Sequence, residues 1–166
     1  MDIQSLHGWD RGGDNMALSG SVSTNFYNDN FTLSVEWTAT QSTANNTSTV
    51  TAKMYLKSNG SLYLGSGDAG AHIRIDGKWY DGGSNTALSA GQKKLIYTAS
   101  RTLTHNASTG QKSFSLLGEI SLGSVDVISP GSGKVGSLGL GYATPSKTFT
   151  LNTIPRASTL DSFSIA

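Results

Sequence analysis

Between Phe31 and Thr38 the chain alternates without a break, setting Phe31, Leu33, Val35 and Trp37 against Thr32, Ser34, Glu36 and Thr38. A period of two sends successive side chains to opposite faces of an extended strand, so this stretch specifies a strand with one buried and one wet face. Such strands belong to antiparallel sheets that cover a core on one side only. A slip of one residue would turn the whole apolar set out into water, which makes this the strongest single constraint on the fold.

The same period recurs along the chain. Leu18, Val22 and Phe26 oppose Ser19, Ser21, Ser23 and Asn25, and a turn at Asn28-Asp29-Asn30 follows. After the polar connection "STANNTS", Val50, Ala52, Met54 and Leu56 oppose Thr51, Lys53, Tyr55 and Lys57. Asn59-Gly60 is expected to be a hairpin turn into Ser61–Ser66. A long strand is expected over Lys93–His105, with Leu95, Tyr97 and Ala99 on one face. It is joined by "NASTG" to Lys112–Gly123, where Phe114, Leu116 and Ile120 oppose Ser113, Ser115 and Glu119, and these two strands are expected to pair as a hairpin. "SPGSGKVGSLGLGY" and "KTFTLNTI" supply weaker strands, the last with Phe149 and Leu151 inward, and Gly139 and Gly141 imply a bulge or close backbone approach.

These signals divide the chain into an irregular arm over 1–16, whose Leu6 and Trp9 need a surface to cover, a β-sandwich over 17–156, and a linker or tail over 157–166. Pro155 is expected to end strand pairing, since it has no backbone donor and holds Ile154 extended. Short strands with regular turns and no convincing helix give an all-β fold class: an antiparallel β-sandwich, immunoglobulin-like or related, of about eight to nine strands.

Composition narrows the function. Charged residues make up 14% of the 166 residues, the formal net charge is +1, and the twelve Lys and Arg are scattered, so neither nucleic acid nor an anionic membrane is an expected partner. No apolar run approaches a membrane span and no signal-type leader opens the sequence, so the chain is expected to be soluble as written. Without cysteine, stability has to come from packing and backbone pairing.

Catalytic and metal chemistry find little support. His7, His72 and His105 lie far apart, without metal-ligand spacing. Glu36 and Glu119 sit mid-strand among Ser and Thr, as solvent-facing residues do, and nothing in the sequence brings them together as the two carboxylates of a glycosidase. No G-x-S-x-G elbow occurs, no base or orienter can be named for a serine nucleophile, and "GSGKVGS" lacks the phosphate-loop spacing. The five N-x-[ST] sequons at Asn30, Asn45, Asn46, Asn59 and Asn106 read as turn chemistry. The chain is therefore expected to be no enzyme and to need no cofactor and no metal. A hydrolase of envelope polysaccharide is the weakest of the readings considered.

"HIRIDGKWYD" carries the one specific surface hypothesis. With Asp76-Gly77 as a two-residue type I′ turn, Ile75 faces Lys78, Arg74 faces Trp79 and Ile73 faces Tyr80. Ile73, Ile75 and Tyr80 then share one face, and His72, Arg74, Trp79 and Asp81 share the other. An outward tryptophan beside Arg, His and Asp suits a sugar ring, because the aromatic face covers C–H groups while polar neighbours read the hydroxyls. The alternative is that Trp79 packs on a neighbouring loop or subunit with Arg74 stacked on it.

Several segments together resemble a family of minor structural or tail proteins of tailed, siphovirus-type phages of Gram-positive hosts: "LSVEWTATQSTANNTSTVTAKMYLKSNG", "IRIDGKWY", "TLTHNASTGQKSFSL" and the closing "LNTIPRAS", whose "TIPRAS" is the most distinctive piece. The resemblance covers roughly Gly20 to Ser158; the arm and the stretch Gly65–Gly91 match less well. It implies a β-sandwich module of the tail tip, baseplate or fibre, made in the bacterial host cytoplasm and carried in the virion. Its expected partners are other tail subunits, a second copy of itself as a homo-oligomer, and a bacterial surface saccharide for host attachment or receptor binding. The family defines no functional residues to carry over.

Overall fold

The computed structural model describes residues 16–139 and 144–156, and these form an all-β molecule of twelve strands. In chain order they are β1 (Met16–Ala17), β2 (Ser19–Phe26), β3 (Phe31–Ser42), β4 (Thr47–Ser58), β5 (Tyr63–Leu64), β6 (Asp68–Ile75), β7 (Lys78–Asn85), β8 (Lys93–Thr104), β9 (Ser113–Leu122), β10 (Val125–Ser129), β11 (Gly133–Leu138) and β12 (Ser146–Leu151). A four-stranded sheet, β2-β3-β4-β8, faces a five-stranded sheet, β1-β12-β9-β6-β7, and a small third sheet, β11-β10-β5, adjoins them. Pairing is antiparallel except between β1 and β12, which run parallel through Met16–Thr150 and Ala17–Leu151.

The alternation in the sequence becomes the core. Phe31, Leu33, Val35, Val50, Ala52, Met54 and Leu56 point inward from β3 and β4 and are fully buried. They meet Ala71, Ile73, Ile75, Leu116 and Ile120 of the opposite sheet, also fully buried. Trp37 stands edge-on to Phe114 with ring centroids 5.1 Å apart and lies 5.2 Å from the Phe149 ring, so one aromatic cluster ties the sheets together. Gly118 of β9 marks a close approach: a Cβ there would lie 2.5 Å from a Val35 methyl.

Three expectations about pairing are corrected. Asn59-Gly60 is not a hairpin turn, because β4 already has a neighbour on each side, β3 and β8, and its next strand, β5, pairs with β10 instead. Asn59 instead holds the β2–β3 turn: its N–H donates to the Asn30 carbonyl at 2.8 Å and its Nδ2 to the Asp29 carbonyl at 3.0 Å. Likewise β8 and β9 do not pair; β8 lies against β4, and β9 lies between β6 and β12 in the other sheet. The connection between them crosses the sandwich, turned by Asn106, whose Oδ1 accepts the N–H groups of Ser108 and Thr109. Finally, Leu95 points outward at 46% exposure, because the pairing register shifts and Ile96 turns inward in its place. A bulge of this kind puts one extra residue in the strand and flips the faces on either side of it.

The edge formed by β7 and β8, where the two sheets would otherwise gape, is laced by side chains of β8. Lys94 Nζ donates to the carbonyls of Asn85 and Ala87, Tyr97 hydroxyl to that of Asp81, and Arg101 Nη1 to those of Ile75 and Asp76. At the far end the closing segment docks on the crossing connection. Strand pairing stops at Leu151, four residues ahead of Pro155, but Ile154 is fully buried and donates its N–H to the Gly110 carbonyl at 2.9 Å. Arg156 then reaches the Ala107 carbonyl at 3.0 Å and Asn46 Oδ1 at 2.6 Å. Met16, read as the end of the arm, is already in β1. The rest of the arm with His7, Gly141, and the tail 157–166 lie outside the described residues.

Candidate functional site

The Asp76-Gly77 turn has the two positive φ angles, 51° and 87°, that a type I′ hairpin needs. It sets the register read from the sequence, Ile75 opposite Lys78, Arg74 opposite Trp79 and Ile73 opposite Tyr80, and continues it with His72 opposite Asp81. The turn is pinned from three directions. Asp76 N–H donates to the Ser115 carbonyl at 2.9 Å, Lys112 Nζ meets Asp76 Oδ2 at 3.0 Å, and Arg101 holds the carbonyls of Ile75 and Asp76. Charge-assisted bonds of this sort stiffen the hairpin before any ligand arrives.

On the outer face the four residues His72, Arg74, Trp79 and Asp81 come together. The Arg74 guanidinium carbon lies 5.5 Å from the centre of the Trp79 ring, and Trp79 remains 44% exposed. Stacking on the ring covers the apolar part of Arg74 and leaves its Nε buried without a hydrogen-bond partner. His72 Nδ1 lies 2.6 Å from Asp81 Oδ1 and His72 Nε2 lies 3.3 Å from Ser121 Oγ. Nδ1 donates to the carboxylate, and Nε2 shares a hydrogen bond with the hydroxyl, so both ring nitrogens are held. On the inner face Ile73 and Ile75 are fully buried, and Tyr80 packs against the same core.

Residues from β9, missed in the sequence, complete the surface. Glu119 is in register with His72, and Leu117 with Arg74. Their membership depends on which strand lies beside β6, and no residue period encodes that. Glu36 lies on the outer face of the other sheet, ion-paired with Lys93, so the two glutamates are on opposite sides of the sandwich.

Contrary to the sequence reading, a base and an orienter can now be named for one serine: Ser121, His72 and Asp81 form a hydrogen-bonded row. A nucleophilic triad needs a shielded carboxylate to stabilise an imidazolium, whereas the Asp81 side chain is 66% exposed. The row fixes the orientation of the imidazole ring on the face that also carries Trp79. An aromatic plane flanked by fixed donors and acceptors suits the alternating C–H and hydroxyl faces of a sugar. No group of three or more potential metal ligands occurs among the described residues, and no helix there is long and apolar enough to cross a membrane.

No protein-family model matches the chain, and no curated protein does.

Proposed function

We propose that the chain is a structural module of a tailed-phage virion, in the tail tip, baseplate or fibre, where it assembles with other tail subunits and with itself and turns a face toward the host envelope. One observation carries this reading beyond the sequence resemblance. Three of the resembling segments, distant in the chain, meet at one end of the sandwich through Arg156 to Asn46, Arg156 to Ala107 and Ile154 to Gly110. The likeness thus runs through residues that close the fold, as expected of a unit exchanged whole between tail proteins. Mass spectrometry of purified particles of the phage encoding this chain is the test. Peptides from 17–156 are expected in the particles; their absence, with the protein present in infected cells, overturns the proposal.

A second reading, compatible with the first, is that the outer face of the β6–β7 hairpin binds a cell-wall or capsular saccharide. The half-exposed Trp79 on a pinned hairpin favours it, since a rigid aromatic platform loses little entropy on binding. Trp79→Ala is expected to weaken pull-down by host cell walls about tenfold or more, the effect of truncating a central aromatic contact. Its thermal midpoint should stay within about 2 °C of the parent, since a surface change costs about 0.5 kcal/mol or less. Unchanged pull-down would remove this face as the receptor site.

A further inference from the structure

Among the described residues the β-sandwich has a long lateral edge without the usual protections. β7 and β8 are laced together by Lys94 and Tyr97, Arg101 ties β8 to the turn ahead of β7, and β11 is a six-residue strand bearing Lys134. β2 is different. It runs eight residues as "SGSVSTNF", with no charge, no proline and an unbroken register against β3. Natural sheets guard their edges with lysines, prolines or bulges, because an unpaired row of N–H and C=O groups is a template for another strand.

Which groups face outward follows from the ladder. Ala39 N–H donates to the Leu18 carbonyl, so Leu18 and the even-numbered residues after it direct their backbone groups at β3. Ser19, Ser21, Ser23 and Asn25 direct theirs away from it. Among the described residues no backbone hydrogen bond reaches these four from that side. Val22, on the inner face of β2, is also incompletely covered: it is half-buried, whereas its partner Val35 on β3 is fully buried.

We infer that β2 is a self-association edge, at which a second copy of this chain adds its own β2 antiparallel to form a continuous eight-stranded sheet. A second copy is the occupant that the sequence fits. An uncharged strand meets no like charge when it pairs with itself, and two half-covered Val22 side chains would shield each other across the twofold axis. The inference rests on the self-assembly part of the proposed function and gives it a surface.

Ser21→Pro tests it, because proline removes an outward N–H and leaves the β2–β3 ladder whole. Ser21→Lys/Ser23→Lys is the second variant, placing lysines opposite lysines across the axis while their side chains point to solvent. In sedimentation equilibrium the parent is expected to dimerise in the micromolar range, and each variant to weaken the dimer about tenfold or more with an unchanged far-ultraviolet spectrum. Hydrogen exchange should show Ser21 and Ser23 amides protected in the parent and exchanging freely in the lysine variant. A parent that stays monomeric at roughly 100 μM, or a dimer that survives both variants, overturns the inference. Absence of the protein from virions would instead overturn the proposed function and leave a measured β2 dimer standing.

Discussion

Replacing Trp37 with alanine is expected to cost about 4 kcal/mol, within the range for deleting a large buried aromatic side chain. Trp37 is 2% exposed and joins both sheets through Phe114 of β9 and Phe149 of β12. In a domain of this size the loss lowers the thermal midpoint by about 8–16 °C, measurable by calorimetry. Trp37→Phe should cost well under half as much. The indole Nε1 is buried without a hydrogen-bond partner, so phenylalanine keeps the ring contacts and discards a desolvated donor. Gly20 belongs to the same arrangement: a Cβ there would lie 2.7 Å from Trp37 Nε1, so β2 has to be bare where the indole passes beneath it. If both variants lose stability equally, the unpaired donor contributes nothing.

Gly110→Ala has the second large effect, expected at about 4 kcal/mol in a urea melt, of which about 1 kcal/mol is backbone strain. Gly110 has φ of +75°, which a side chain tolerates only with strain, and a Cβ would overlap the Ile154 carbonyl. The closing segment has to leave, giving up the Ile154 hydrogen bond, about 1 kcal/mol, and part of the burial of Ile154, about 2 kcal/mol. Gly91→Ala is the control. Its φ is +74° and nothing lies within 4 Å, so it should show the backbone strain alone, about 1 kcal/mol. In Gly110→Ala the Ile154 amide should lose its protection from hydrogen exchange; a protected amide would place the damage elsewhere.

What was legible in the sequence was local. The inward residues of β3 and β4 and the three pairs nearest the turn of the β6–β7 hairpin follow from a period of two and from one Asp-Gly turn. Partners distant in the chain were not legible. The period of β8 and β9 says that each is a strand, but the residues between them satisfy a hairpin as readily as a crossing of the sandwich, and only competition for edges decides. The bulge did leave a trace, since Leu95, Ile96 and Tyr97 are three apolar residues in a row where alternation allows no such run. The candidate face divides in the same way. His72, Arg74, Trp79 and Asp81 come from one hairpin and were readable; Ser121 and Glu119 arrive on a strand about forty residues later and were not.

The parallel contact between β1 and β12 has a consequence for synthesis. The meander β2-β3-β4 can pair as soon as it leaves the ribosome, since its contacts are local. The five-stranded sheet cannot, because Met16 and Ala17 wait for Thr150 and Leu151. Until then β9 has one side uncovered and Trp37 lacks Phe149. A nascent chain stalled before Ser146 would thus expose a sticky edge and an aromatic face together, and the ribosome must deliver Ser146–Leu151 before either is hidden.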